Sequence, residues 1–256
     1  MRYVRYQKGL DQPKFGWILN DLVGELEGTP FGDYRRKEAE TSLSSVRLLA
    51  PVLPGKIIGV EVNFQNPGLE SAGGFPEIPS IYLKPPSSVI GTRQTIFLPP
   101  QSQLVEHEIH LAVVIGRSGR WIAPDRVNDY IFGYTIATDI TARDLQDTDR
   151  SSGRARAFDT FLPLGPWIET DLDIIDILMT CRVKNELRQM ASTREMIFSI
   201  PQVVAFISSI MTLNTGDIIL AGSPSGAGPL IPGDLVQSTI EGIGDLFNPV
   251  VREKAR

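Results

Sequence analysis

The sequence contains little of what secreted and membrane proteins depend on. It has a single cysteine, Cys181, which excludes an internal disulfide framework. No apolar run approaches the length of a membrane span, and residues 1–8 lack the apolar centre of a signal peptide. We therefore expect a cytoplasmic protein that functions without a membrane.

Histidine and clustered positive charge are also scarce. A nucleophilic serine in the turn Gly222–Gly226 would need a histidine base, and no histidine outside positions 107 and 110 is available, so we reject a serine hydrolase. The formal charge is −5 and the pI is near 5.2, with lysine and arginine scattered along the chain. This pattern gives no basic surface for nucleic acid, and a small acidic metabolite would need local positive charge to bind.

The 256 residues, 42% of them hydrophobic, can bury a sizeable core. Many short strand-like segments, bounded by glycine or proline, predict a mostly β fold of the α+β class with few helices. Proline residues near position 52 separate a small N-terminal β module, residues 1–51, from a main domain, residues 52–256. The predicted strands are Arg2–Gln7, Phe15–Leu26, Lys56–Asn63, Ser80–Lys84, Thr95–Leu98, Glu108–Ile115, Ile131–Asp139, Leu178–Val183, Asp217–Leu220 and Leu235–Ile240.

Helices are expected in two places. Ser199 and Pro201 are typical of a helix start, and the spacing of Val203, Val204, Ile207, Ile210 and Met211 predicts an apolar helical face. A shorter helix is predicted at Pro124–Tyr130. The segment Asp147–Ala157 has no apolar periodicity and is predicted to be a mobile loop.

The segment Val105–His110 carries the most chemistry. On a strand, Glu106, Glu108 and His110 share one face, while His107 points to the other. Asp139 ends another predicted strand and is the natural third ligand beside Glu108 and His110. Two carboxylates and one imidazole can hold a divalent metal: the oxygens suit Mg²⁺ or Mn²⁺, and the histidine shifts preference toward Mn, Fe, Co or Zn. The alternative is the solvated face of a half-buried strand.

An ordered series of motifs then resembles the fumarylacetoacetate hydrolase family. The series covers residues 56 to about 251 in the family's order. Its segments are Ile81–Pro85, Glu108–Gly116, Gly133–Asp144, Phe158–Trp167, Arg188–Met190, Asn214–Ile219, Gly222–Gly228, Pro232–Asp234 and Glu241–Gly244.

The resemblance implies a mixed β-roll, a homodimer, and a divalent metal at the mouth of the roll. It also implies hydrolysis, decarboxylation or isomerisation of β-diketo acids, acylpyruvates and related 2-oxo dioates. In such chemistry the metal chelates the 2-oxo acid and stabilises an enolate.

The chain departs from the family's metal pattern, which is Glu-x-Glu followed by a distant Asp. Glu108 and Asp139 match this pattern, but His110 replaces the second glutamate. A register that uses Glu106 and Glu108 is possible, although the residues that follow align better with 108 and 110. A neutral imidazole raises the charge of the site by one unit relative to glutamate and should weaken Mg²⁺ binding.

A second departure affects the dyad that activates water in the family's hydrolases, a histidine and a glutamate. Pro67 stands where that histidine would be, and proline cannot transfer a proton. Glu70 matches the glutamate and could act as a base only with a tuned pKa. The alternative for Glu70 is an exposed carboxylate.

A third departure is Arg156, which replaces a lysine that the family usually carries near the substrate; arginine keeps the positive charge but cannot readily give up a proton. The resemblance makes Gln146 and Ser223 substrate contacts. Lys84 is predicted either to bind a substrate carboxylate or to lie on the surface. Arg143 and Asp144 are predicted to form a structural ion pair or to support Asp139, and Cys181 is predicted to be a buried apolar residue.

Three hypotheses follow. The first is a metal-dependent enzyme that acts on a 2-oxo or β-diketo acid through an enolate, and isomerase, tautomerase or decarboxylase chemistry is favoured over hydrolysis because of Pro67. The second is a catalytically impaired relative that serves as a binding or partner subunit, motivated by the changes at 67, 110 and 156. The third is an enzyme repurposed for a different, bulky substrate.

Overall fold

The computed structural model describes residues 1–65 and 74–254. Strands dominate it, so the mostly β prediction is confirmed. The strands are β1 (Arg2–Gln7), β2 (Lys14–Leu19), β3 (Leu22–Gly28), β4 (Tyr34–Ser42), β5 (Arg47–Leu49), β6 (Ile57–Val60), β7 (Ile81–Lys84), β8 (Val89–Ile90), β9 (Ile96–Leu98), β10 (Val105–Ile115), β11 (Ile131–Ala142), β12 (Leu162–Glu169), β13 (Leu178–Val183), β14 (Glu186–Ser192), β15 (Ile218–Leu220), β16 (Gly228–Pro229), β17 (Leu235–Ile240) and β18 (Gly244–Arg252).

Two sheets hold these strands. In the described residues, the larger sheet runs β4-β3-β2-β1-β12-β11-β10-β15-β6-β7, with β5, β8 and β16 attached at its sides. The N-terminal strands are therefore part of this sheet, which they join where β1 pairs with β12. The smaller sheet runs β14-β13-β17-β18-β9.

The centre of the larger sheet is the long antiparallel pair of β10 and β11. Both strands are rich in β-branched residues and are buried over most of their length. One face of this pair packs against the smaller sheet, where the His107 imidazole contacts the Cys181 thiol and Thr138 contacts Ser238. The opposite face holds His110, so the prediction that the two histidines point to opposite faces is confirmed.

The helices are short and surround the sheets. In the described residues they are α1 (Arg143–Asp149), α2 (Ser152–Ala155) and α3 (Ile200–Ile210), with 3-10 turns at Leu43–Ser45, Pro86–Ser88, Pro124–Asp129 and Thr193–Glu195. Helix α3 begins at a capping box formed by Ser199 and Gln202, as its sequence predicts. The prediction that Ile210 belongs to the buried apolar face was wrong, because 47% of this residue is exposed.

The prediction of a loop over Asp147–Ala157 was wrong. Most of that segment belongs to α1 and α2, which each bury only one apolar residue, Leu145 and Ala155, and are also held by polar contacts that apolar periodicity does not detect. Ser151 caps α2, and the Arg154 guanidinium binds both carboxylate oxygens of Asp149 at 2.7 and 2.6 Å. Among the described helices, none is both long and apolar enough to cross a membrane.

Candidate active site

The pairing of β10 with β11 places two carboxylates side by side. Glu108 and Asp139 are directly opposite each other in the ladder, and His110 lies two residues along β10 on the same face. One ligand atom from each of these three side chains lies within 4.8 Å of the others. The structure therefore brings together the three residues that the sequence singled out as metal ligands.

Asp139 is fully buried and is surrounded by donors. The Lys84 ammonium donates to Oδ1 at 2.6 Å, and Oδ2 accepts hydrogen bonds from the Tyr82 hydroxyl and from Arg156 Nη1. Burial alone would raise the pKa of Asp139, but the charges of Lys84 and Arg156 outweigh it and hold that pKa below its ordinary value. Asp139 is thus a carboxylate at neutral pH with both oxygens engaged.

Lys84 is not a surface lysine, because its side chain is completely buried. Besides Asp139, its ammonium donates to the backbone carbonyls of Ile140 at 3.2 Å and Arg156 at 2.7 Å. These three acceptors match the three protons of an ammonium. Burial lowers the pKa of Lys84, and the charge of Asp139 opposes that effect.

Lys84 reaches Asp139 because the larger sheet curls. Strand β7 is separated from β11 by β10, β15 and β6 in the strand order, yet its side chains touch β11. Gly59 on β6 pairs with Tyr82 on β7 and leaves room for the tyrosine ring, because a Cβ at position 59 would overlap that ring. Tyr82 was absent from the sequence-based candidates. The available signal was alternation: Tyr82 and Lys84 share the buried face of β7, and Leu83 between them is exposed.

Arg156 lies between the two carboxylates. Its Nη1 contacts Asp139 and lies 3.2 Å from Glu108 Oε2, while the guanidinium stacks 3.9 Å from the centre of the Tyr82 ring. Burial would lower the pKa of Arg156, but the neighbouring carboxylates raise it further above its ordinary value, so the side chain stays charged. Its Nε–H is buried and has no acceptor among the described residues.

Arg143, at the start of α1, secures the other side of Glu108. Its Nη2 lies 2.8 Å from Glu108 Oε1, and its Nε donates to Glu106 Oε2 at 2.9 Å. The predicted pairing of Arg143 with Asp144 was wrong. Asp144 instead accepts hydrogen bonds from the Ser102 hydroxyl at 2.6 Å and the backbone N–H of Gln103 at 2.8 Å, because it faces the loop before β10.

Together these side chains form a group of three carboxylates and three permanent or buried cations, which we call the charged cluster. Its formal charges sum to zero when all six groups are ionised. The members are Glu106, Glu108, Asp139, Lys84, Arg143 and Arg156.

His110 borders the charged cluster. The backbone N–H of Gly222 donates to its Nδ1 at 3.2 Å, so Nδ1 is an acceptor and the ring proton lies on Nε2. Burial lowers the pKa of His110 to about 4, which agrees with a neutral ring. Position 222 requires glycine, because its φ is +102° and a Cβ there would overlap Asn63. The Asn63 amide in turn donates to the Ala221 carbonyl at 2.7 Å, which holds the backbone next to Gly222. Nε2 is buried without a partner among the described residues.

A divalent ion needs free lone pairs, and the contacts above leave few. Nδ1 of His110 accepts from Gly222 and Nε2 carries the proton. Both oxygens of Asp139 and both of Glu108 already bind cationic or hydroxyl donors. Glu108, His110 and Asp139 are close enough to hold a metal, but His110 presents an N–H rather than a lone pair at Nε2, so in this arrangement the three side chains do not offer the ligand set of a divalent ion.

The predicted substrate contacts lie around the cluster. Gln146 accepts from Arg143 Nη1 at 2.8 Å and lines a surface cavity of about 620 Å³ together with Arg143, Arg150 and Ser152. The Ser223 hydroxyl accepts from the amide of Gln189 at 2.9 Å. Glu70, predicted as a base, and Pro67 lie outside the described residues.

Gln189 is a functional candidate that the sequence reading did not assign. Besides Ser223, its amide donates to the Pro224 carbonyl at 2.7 Å, and its oxygen accepts from the Ile109 N–H at 3.0 Å. It thereby ties the loop after Gly222 to β10.

Comparison with known proteins assigns the chain to a family. The family model described as fumarylacetoacetate (FAA) hydrolase, C-terminal, matches residues 56–251. The chain belongs to the fumarylacetoacetate hydrolase family. A model described as Rv2993c-like, N-terminal, matches residues 1–51. The β-roll predicted from the resemblance is confirmed by the solved structures of family members.

Three relatives illustrate the range of the family. The 5-carboxymethyl-2-hydroxymuconate delta-isomerase of Mycobacterium smegmatis superimposes with a TM-score of 0.93 at 41% identity, covering 99% of this chain and 100% of that one. The mitochondrial oxaloacetate tautomerase Fahd2a of Rattus norvegicus is 39% identical over 81% of this chain and 70% of its own length. A maleylpyruvate hydrolase of Sphingobium sp. SYK-6, solved with manganese(II) and pyruvate, has a TM-score of 0.82 at 28% identity, covering 99% and 100%.

Proposed function

We propose that this protein is an isomerase or tautomerase that interconverts the keto and enol forms, or shifts the double bond, of a small 2-oxo acid. The observation that supports it best is the permanently charged Arg156, which is buried between Glu108 and Asp139 and whose Nε–H has no partner among the described residues. The names of the isomerase and tautomerase relatives give independent support.

The chemistry of this reaction class explains why such donors matter. Removal of a proton next to a ketone moves negative charge onto the carbonyl oxygen. Fixed N–H donors in a dry site stabilise that charge without reorganisation, and the loss of one such donor lowers the rate by about 100- to 1000-fold. Arg156 is suited to this role because its guanidinium keeps its charge.

The other residues divide into positioning and proton transfer. Lys84 uses its three protons within the protein, so we assign it to positioning Asp139 and Arg156 rather than to the substrate. Glu70, which matches the glutamate of the family's dyad, is the candidate base, and this role requires a pKa tuned to proton transfer. Hydrolysis is disfavoured because Pro67, in place of the family's histidine, cannot activate water.

The expected substrate is a small acid with one or two carboxylates. The cavity beside Gln146 is lined by Arg143 and Arg150, which could hold a carboxylate, and also by Glu61 and Asp147. A homodimer is the expected assembly, as the family resemblance implies, and analytical ultracentrifugation of the full chain measures it.

The test is a tautomerase assay with oxaloacetate, in which the ultraviolet absorbance of the enol is followed with and without the enzyme. We expect acceleration by the wild-type chain and a loss of about 100-fold or more in Arg156→Gln. Arg126→Gln is the matched control, because Arg126 is exposed and forms its ion pair with Asp129, away from the charged cluster. If oxaloacetate, acylpyruvates and 2-hydroxymuconate-type dioates all react at the buffer rate, the proposed activity is wrong.

The same assay, combined with a measurement of ligand binding, distinguishes an enzyme from the second hypothesis, a binding subunit without activity. Changes at 67, 110 and 156 motivate a relative that binds without turnover. Binding of oxalate, a planar mimic of a pyruvate enolate, together with no turnover of any of these acids would favour that hypothesis over catalysis.

A further inference from the structure

The buried side-chain atoms of the site that lack a hydrogen-bond partner among the described residues are donors. Among the described residues, the buried side-chain atoms without a partner include two at the charged cluster, His110 Nε2 and Arg156 Nε. His110 is 2% exposed and Arg156 is 3% exposed, so solvent does not satisfy them. Both atoms carry hydrogen: Arg156 Nε always does, and His110 Nε2 does because Gly222 donates to Nδ1.

Most of the acceptor capacity of the site is engaged, because every carboxylate oxygen of Glu108 and Asp139 already receives at least one donor. The carboxylate oxygens of Glu108 and Asp139 receive Lys84, Tyr82, Arg143 and Arg156. A buried, unpaired donor is unfavourable, and an acceptor that fills the gap relieves it. A divalent cation would add no acceptor and would bring two further positive charges to a cluster whose charges already balance.

We infer that this chain binds the oxyanion end of its ligand directly, through the N–H groups of His110 and Arg156, and that Arg156 between the two carboxylates takes the place of a divalent ion. The ligand class is a carboxylate or an enolate oxygen. This inference rests on the proposed function only for the choice of probe, and its readout is binding rather than turnover.

The side chain at position 110 decides which ligand the site prefers. A histidine with its proton on Nε2 offers a donor and no charge, whereas a glutamate there would offer only acceptors and one more negative charge. His110→Glu should therefore convert the site from anion binding to cation binding. His110→Gln keeps an N–H donor of similar reach and should retain anion binding.

The experiment measures binding of oxalate and of Mn²⁺, each alone, to the full-length protein by calorimetry and thermal unfolding. We expect oxalate to bind in EDTA, with a rise in Tm of about 5–10 °C at 100 times its Kd, and Mn²⁺ alone to give no heat and no shift. In His110→Glu, oxalate binding in EDTA should fall at least tenfold and Mn²⁺ alone should raise Tm. Arg126→Gln should behave as wild type.

Several results would overturn the inference. Oxalate binding that requires Mn²⁺, binding of Mn²⁺ alone by the wild type, or failure of oxalate to bind at all would each contradict it. Because the chain has two histidines, a long-range ¹H–¹⁵N spectrum gives an independent check that needs no variant to fold. A signal pattern with the proton on Nδ1 of His110 would also overturn the inference. If oxalate binds in EDTA but no 2-oxo acid turns over, the proposed function fails and this inference stands.

Discussion

Replacement of Lys84 by methionine is the change whose effect on stability the structure specifies best. Methionine has nearly the same length and fills the space with an apolar chain, but it removes three hydrogen bonds and one charge from the interior. Asp139 would keep Tyr82 and Arg156 but lose the ammonium at Oδ1. Removing one partner of a buried ion pair lowers the free energy of unfolding by about 3–5 kcal/mol, because the other charge remains buried.

The assay is unfolding in guanidinium chloride at pH 7, followed by the fluorescence of the three tryptophans. The control is Lys14→Met, since Lys14 pairs with Glu25 on the surface with 44% of its side chain exposed. A pair of this kind contributes about 0–1 kcal/mol. An unchanged m value in both variants would show that only stability has changed.

A double variant isolates the interaction with Asp139. If the buried charge of Asp139 causes the loss, Asp139→Asn should lower the free energy of unfolding less in the Lys84→Met background than in the wild type. The two effects should differ by a coupling free energy of about 1–3 kcal/mol. A loss below about 1 kcal/mol for Lys84→Met, or full additivity of the two changes, would refute the view that this lysine neutralises a buried charge.

Three further predictions concern burial and packing. Burial lowers the pKa of His110 from 6.5 to about 4. As the pH falls, the unfolded chain therefore binds a proton at this histidine before the folded chain does. The free energy of unfolding should drop by up to about 3 kcal/mol between about pH 7 and pH 4. Unfolding at a series of pH values should show this slope reduced in His110→Gln, and parallel curves would contradict it. Gly59→Ala must displace the Tyr82 ring and should destabilise by about 1–3 kcal/mol in chemical unfolding, whereas Gly153→Ala, which meets only open space and the Ser151 hydroxyl, should change little. The Cys181 thiol, whose pKa burial raises to about 12, should react with a disulfide reagent only as fast as the protein unfolds, and rapid labelling of the native protein would show that the thiol is accessible.

The sequence was sufficient for the strands at the centre of the site. Alternation and β-branched residues predict β10 and β11, and the ladder places Glu108 opposite Asp139. Local pattern also placed the helix that begins after Ser199. These features depend on neighbours within a few residues or on one antiparallel pair, which is why local periodicity finds them.

The surroundings of Asp139 could not be predicted in this way. Lys84 and Tyr82 reach it only because the sheet curls through β15 and β6, and that curvature depends on pairings between distant parts of the chain. Arg143 was associated with its sequence neighbour Asp144, although its contacts are with Glu108 and Glu106 on β10. The helices α1 and α2 escaped detection because each places a single apolar residue, Leu145 or Ala155, in the core, which is too few to give a periodic pattern.

The balance of charge in the cluster is likewise a property of the assembled site. Each of its ions looks unremarkable in the sequence, and a metal-ligand pattern was the simplest interpretation of Glu108, His110 and Asp139. Only the contacts of Arg156 and Lys84 reveal that the carboxylates are already neutralised.

The central claim is that Arg156, and not a divalent ion, bridges Glu108 and Asp139. The most direct measurement is a crystal structure of the full chain grown with excess Mn²⁺, with anomalous data collected near the manganese edge. We expect no anomalous peak among Glu108, His110 and Asp139, with Arg156 Nη1 in contact with both carboxylates. A manganese peak bound by those three side chains, with Arg156 turned away, would contradict it.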